Sequence, residues 1–166
     1  MKKTYILTVL TMLVLLAITI GSVAASESKT VFRTLLSAAP NVESDAHGNS
    51  VFKFNDDGSA MKYKLVVNGL DETTMAHIHV SDTPCTLTPP VLWLYPDTPP
   101  LSLIGGTFNG LLGGRTVTSA DLFQPAAENQ GINSLDDLRG AIEDGQAYVL
   151  VHTDNNPPGE ICGVIE

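Results

Sequence analysis

Hydrophobic positions along the chain change their spacing several times, and each spacing predicts a different element. From about Tyr5 to Ile20 the chain is an unbroken apolar run behind Lys2 and Lys3, followed by Gly21-Ser22-Val23-Ala24-Ala25. Thr30 to Ala38 is β-branched and apolar and predicts a first strand. Val51-Phe52-Lys53-Phe54 alternates into the turn Asn55-Asp56-Asp57-Gly58, and Ala60 to Val67 alternates again, with Met61, Tyr63, Leu65 and Val67 on one face and Lys62 and Lys64 on the other. The pair predicts an antiparallel hairpin with one face in a core. Asn68-Gly69-Leu70-Asp71 breaks the run, and a new strand carries Met75-Ala76-His77-Ile78-His79-Val80. Val91 to Tyr95 is a short apolar strand between prolines, and Gly105-Gly106, Gly110 and Gly113-Gly114 predict turns around Thr107-Phe108. One helix is expected: Ser134 is a good N-cap, Leu135, Leu138 and Ile142 form a helical stripe, and Gly145 ends it. Ala147 to His152 is strongly strand-like, and the turn Asp154 to Gly159 leads into a last strand from Glu160 to Ile165. Many short strands with one brief helix predict an all-β fold, an antiparallel Greek-key-like β-sandwich or flattened barrel.

The N-terminal run changes where this domain is expected to reside. Two lysines, an apolar stretch and small residues at Val23 and Ala25 outline a secretory signal that would leave Ser26 as the new N-terminus. The stretch also approaches the roughly 20 residues that span a bilayer, so residues 1–25 are read as a signal peptide or an N-terminal membrane anchor. Residues 26–166 are then one domain, secreted or at the cell surface, with no linker or repeat dividing it. Formal net charge is −9, and −11 once Lys2 and Lys3 are set aside. Such an acidic surface argues against nucleic acid as a partner, and against the membrane except through the N-terminal segment.

Composition next brings in two cysteines, Cys85 and Cys162. In an oxidising compartment a disulfide between them is the default expectation; it would add roughly 4 kcal/mol in the chain-entropy view. The histidines matter more. His77 and His79 are two apart on a strand, so both project from one face while Ala76, Ile78 and Val80 face the other way. His152, on another strand-like segment, can supply a third imidazole and complete a small metal site. Two other readings of these side chains stay open: a buried hydrogen-bonded network, and a pH-sensitive interface. Since each imidazole must be neutral to ligate, metal is expected to leave as pH falls below about 6. Glu160 is expected to accept from the second ring nitrogen of a ligand histidine and fix its tautomer, the alternative being a glutamate that caps backbone or pairs with Arg115 or Arg139. His47 is read as loop, without a role.

Gly69-Leu70, Ala76-His77-Ile78-His79, Gly145-Gln146-Ala147-Tyr148-Val149, Val151-His152-Thr153 and Pro158-Gly159-Glu160-Ile161 together resemble the chordin-type CHRD domain from about Thr30 to the C-terminus. The resemblance implies an all-β secreted or cell-surface domain. The sequence departs from that family at Cys162, where an arginine is usual. A fainter resemblance is to copper-zinc superoxide dismutase: Gly-Leu, His-x-His, a cysteine soon after, then Val-His and a terminal Cys-Gly-Val-Ile. It implies that His77, His79 and His152 ligate copper and that Cys85 pairs with Cys162. The bridging histidine and zinc loop of that family have no counterpart between Cys85 and His152, and its anion-attracting arginine is Gly159 here. A fast dismutase is therefore not expected.

Taken together these features predict no catalytic residue. Neither Gly-x-Ser-x-Gly nor an Asp-x-Asp-x-Asp-Gly calcium loop is present. The expected function is binding of a single copper ion, or zinc as the alternative, through His77, His79 and His152. The competing expectation is a surface interaction or adhesion module, with an extracellular protein or glycan partner and histidines that only order the fold.

Overall fold

A computed structural model describes residues 29–166, and the leader or anchor expected over residues 1–25 lies outside them. Eight strands and one α-helix follow one another: β1 (Val31–Ala38), β2 (His47–Phe54), β3 (Ala60–Val80), β4 (Leu92–Tyr95), β5 (Ile104–Gly113), β6 (Thr116–Thr118), α1 (Leu135–Glu143), β7 (Ala147–Thr153) and β8 (Ile161–Val164). No helix among the described residues is long and apolar enough to cross a membrane.

The strands run β2-β1-β8-β7-β3, and β3 pairs again with β2, so the sheet closes into a flattened antiparallel barrel. Closure removes the exposed edges that an open sheet would present. It is made possible by the length of β3. Met61 to Asn68 pair with β2, whereas Met75 to Val80 pair with β7, so one strand spans the two sides. On the outer side of this strand, β6 and β4 pair with its two ends and β5 with its middle. The alternation read in the sequence decides the inside: Phe32, Phe52, Phe54, Met61, Tyr63, Leu65, Val67, Ala76, Ile78, Val149 and Val151 are all buried in one core. Lys62 and Lys64 point to solvent as expected.

Three expectations are corrected. Asn68 to Asp71 do not end a strand; β3 passes through them with register shifts. Gly69 takes a left-handed φ of 74° there and its N–H donates to Asn109 Oδ1 at 2.8 Å, so the chain bends without leaving the sheet. Gly105, Gly106, Gly110 and Gly113 around Thr107-Phe108 likewise lie inside a ten-residue strand rather than in turns, and only Gly114 falls in the connection to β6. Close packing explains Gly113, where an added Cβ would sit 2.4 Å from the Leu94 carbonyl oxygen. His47 is the exposed first residue of β2, not loop.

Helix α1 forms where its cap predicts. Ser134 Oγ accepts from Asp137 N at 3.1 Å, and the Leu135, Leu138, Ala141 and Ile142 side chains are buried. Ser134→Ala is expected to remove about 1 kcal/mol of stability, read as a lower urea midpoint with an unchanged slope.

Candidate metal centre

Strands β3 and β7 position the histidines. Their register places His152 opposite Met75, Leu150 opposite His77 and Tyr148 opposite His79. Opposite residues of an antiparallel pair share a face, so all six belong to the side of the sheet away from Ala76, Ile78, Val149 and Val151. The three histidines thus lie outside the barrel, yet each is at most 3% exposed. Two connections cover them. One is the segment 81–90, which Cys85 ties to Cys162 of β8 through a disulfide. The other is the turn 154–160 between β7 and β8. This double cover is why every residue of β7 is buried, on both faces.

Both covering loops also set the proton positions. His79 Nδ1 donates to the Thr88 carbonyl at 2.8 Å, and His152 Nδ1 donates to the Pro157 carbonyl at 2.9 Å. A carbonyl accepts only, so each ring is held with its proton on Nδ1 and a lone pair on Nε2. His152 Nε2 lies 3.2 Å from Nδ1 of His77. If His77 donates there, its own Nε2 becomes an acceptor, and that atom is buried with no partner, as is Nε2 of His79. If instead His77 is protonated at Nε2, two lone pairs face one another, an arrangement relieved by a cation between them. One nitrogen from each of the three rings can be chosen so that all lie within 4.8 Å of one another. Two nitrogens bound to one tetrahedral zinc at about 2.0–2.1 Å are roughly 3.3 Å apart, close to the His77–His152 separation.

The electrostatics keep these rings neutral. Burial, and then the charges that His152 and His79 would carry, push the His77 pKa down to about 2. Burial foremost, and then His152, pushes His79 down to about 4 against the opposing carbonyl hydrogen bonds. Burial lowers His152 as well. Neutral imidazole is the ligating form, so the site stays competent well below the pH of about 6 expected for exposed histidines.

Glu160 does not perform the role expected of it. Its carboxylate accepts from Ser44 Oγ at 2.7 Å, Thr153 Oγ1 at 2.6 Å and Asn156 Nδ2 at 3.2 Å. It therefore braces the 153–160 turn that brings the Pro157 carbonyl to His152, and acts on the ring only through that backbone. Arg115 and Arg139 are paired elsewhere, with Asp97 and Asp121 and with Asp136.

Residues that carry no sequence signal complete the surroundings. Trp93 on β4 pairs across from His77, and its ring meets the imidazole edge-to-face at 4.2 Å. Tyr148 stacks on His79 at 5.5 Å. Its hydroxyl donates to the Thr86 carbonyl and accepts from Thr88 Oγ1 at 3.0 Å, which anchors the covering segment. Strand alternation places Trp93 and Tyr148 on a face, but the carbonyls of Thr88 and Pro157 could be found only by folding. Gly159 takes a φ of 130°, and a Cβ there would lie 2.5 Å from Leu150 Cδ1, so an arginine does not fit at this position.

A family model described as CHRD domain matches residues 30–165. No match was found among curated proteins or solved structures.

Proposed function

Since the chain belongs to the CHRD-domain family, whose domains occur in extracellular proteins, we propose that it is an extracytoplasmic domain that binds one copper ion through His77, His79 and His152. One observation carries this reading: three buried imidazoles converge, with the ring protons of His79 and His152 tied to carbonyls and the Nε2 atoms of His77 and His79 buried without a partner. A purely structural network would satisfy its buried acceptors, because an unpaired buried polar atom costs about 1–3 kcal/mol. Three neutral nitrogens suit copper and zinc, and copper lies above zinc in the general order of divalent affinities. The disulfide supports the site by holding the segment that supplies the Thr88 carbonyl.

Protein prepared without a histidine tag, loaded with copper and desalted, is expected to retain one copper per chain by elemental analysis. Protein that stays metal-free after both copper and zinc loading would sink the proposal. A second reading, an interaction module with structural histidines, draws on the 3.2 Å His77–His152 contact and on the exposed Leu87, Leu101, Leu103 and Leu111. It predicts that copper leaves the melting temperature unchanged.

A further inference from the structure

We propose that the site is built for monovalent copper and that the thioether of Met75 is its fourth donor. This rests on the copper reading above and goes beyond it by naming the oxidation state and a ligand.

The placement of Met75 is the first observation. It lies two residues before His77 on the same strand face and directly opposite His152 in the β3–β7 register. Side chains opposite one another in an antiparallel pair have Cβ atoms about 4.5–5.5 Å apart, within reach of an unbranched side chain with three rotatable bonds. Met75 is only half-buried, so packing alone makes little demand for a long apolar residue there. The other described methionine, Met61, is fully buried inside the barrel and far from this role. Thioether sulfur is a soft donor, and soft donors select Cu(I) over harder divalent ions.

The second observation is the charge of the donor set. His77, His79 and His152 are neutral ligands, and the nearby Glu160 carboxylate is turned toward Ser44, Thr153 and Asn156. A bound ion therefore keeps its full charge in a place where each histidine is at most 3% exposed. The penalty for removing an ion from water rises with the square of its charge, so a divalent ion loses about four times what a monovalent one loses. Trp93 against His77 and Tyr148 against His79 wall the rings with aromatic surface and strengthen this discrimination. Four neutral donors, three nitrogen and one sulfur, with all three rings buried, favour the lower oxidation state.

The test compares wild type with Met75→Leu, which keeps the volume and removes the sulfur. Cu(I) affinity is measured anaerobically with ascorbate by competition against bicinchoninate, and Cu(II) affinity by competition against glycine. Wild type is expected to hold Cu(I) about a thousandfold more tightly than Cu(II), about 4 kcal/mol at 1.4 kcal/mol per tenfold. Met75→Leu is expected to lower Cu(I) affinity about tenfold while Cu(II) affinity stays within about twofold, since the softer ion gains most from sulfur. Copper-edge X-ray absorption of the Cu(I) form should show a sulfur scatterer in wild type that disappears in the variant. Equal or tighter Cu(II) binding, or a Cu(I) spectrum with nitrogen scatterers alone, overturns the inference while leaving the three-histidine site standing. Failure to bind copper in either state overturns both.

Discussion

His152→Ala is expected to lower copper affinity at least a hundredfold, more than the 10–100-fold usual for losing a partner of a ligand, because it removes a ligand itself. The same change also leaves the Pro157 carbonyl and His77 Nδ1 without their contacts, so the metal-free variant loses about 1–3 kcal/mol of stability. These two effects separate in one experiment. Copper at a hundredfold excess over its dissociation constant should stabilise wild type by about 2.7 kcal/mol. The variant should gain at most about 0.4 kcal/mol, although both unfold cooperatively. If copper shifted the unfolding of wild type and variant equally, His152 would not be a ligand.

Acid should unfold the metal-free protein earlier than its disulfide-stapled barrel would lead one to expect. In the unfolded chain the histidines take up protons near pH 6.5, whereas burial holds folded His77 near 2 and His79 near 4. Between those values the unfolded state binds more protons, so stability rises with pH and falls with acid. Each such histidine contributes about 1.4 kcal/mol per pH unit, which makes the two together worth on the order of 5 kcal/mol between pH 6.5 and 4.5. That is comparable with the whole stability of an ordinary domain, about 5–15 kcal/mol. Urea midpoints measured every half unit from pH 7.5 to 4.5 should fall steadily below 6.5. With copper bound the midpoints should be higher but the slope should persist or steepen, because the ion excludes protons from all three folded rings while the unfolded chain still takes them up. A flat profile over this range would contradict the buried, neutral state of the rings.

The consequence for function is that the site ought to remain loaded in mildly acidic surroundings. Exposed histidines would release an ion near pH 6; three sealed beneath two loops are expected to hold one to lower pH.

Much of this was legible in the order of residues because it follows from local periodicity. Alternation of Met61, Tyr63, Leu65 and Val67 with Lys62 and Lys64 is a statement about two faces of one strand, and it holds wherever the strand is placed. The Ser134 cap and the Leu135, Leu138 and Ile142 stripe are local in the same sense. The His77/His79 spacing determined a shared face, and the two cysteines, in the compartment expected from the N-terminal run, pointed to the pair that forms. The bend at Gly69 was not legible: a glycine with a positive φ ends one strand and bends another, and the difference lies in the β5 backbone and Asn109 across the sheet. Nor was Glu160, since a carboxylate's partner depends on which side of the turn Ser44 and Thr153 arrive.

The sequence by itself determined which side chains can act here: three imidazoles of strand character and two cysteines. Only the tertiary structure decided that the histidines lie on the outer face of a closed barrel and are buried nonetheless, because loops distant in sequence cover them. It also decided the tautomers of His79 and His152 through the carbonyls of Thr88 and Pro157, groups that every residue possesses and no composition can single out. Periodicity is a property of neighbours along the chain, whereas burial, proton position and pKa are properties of neighbours in space.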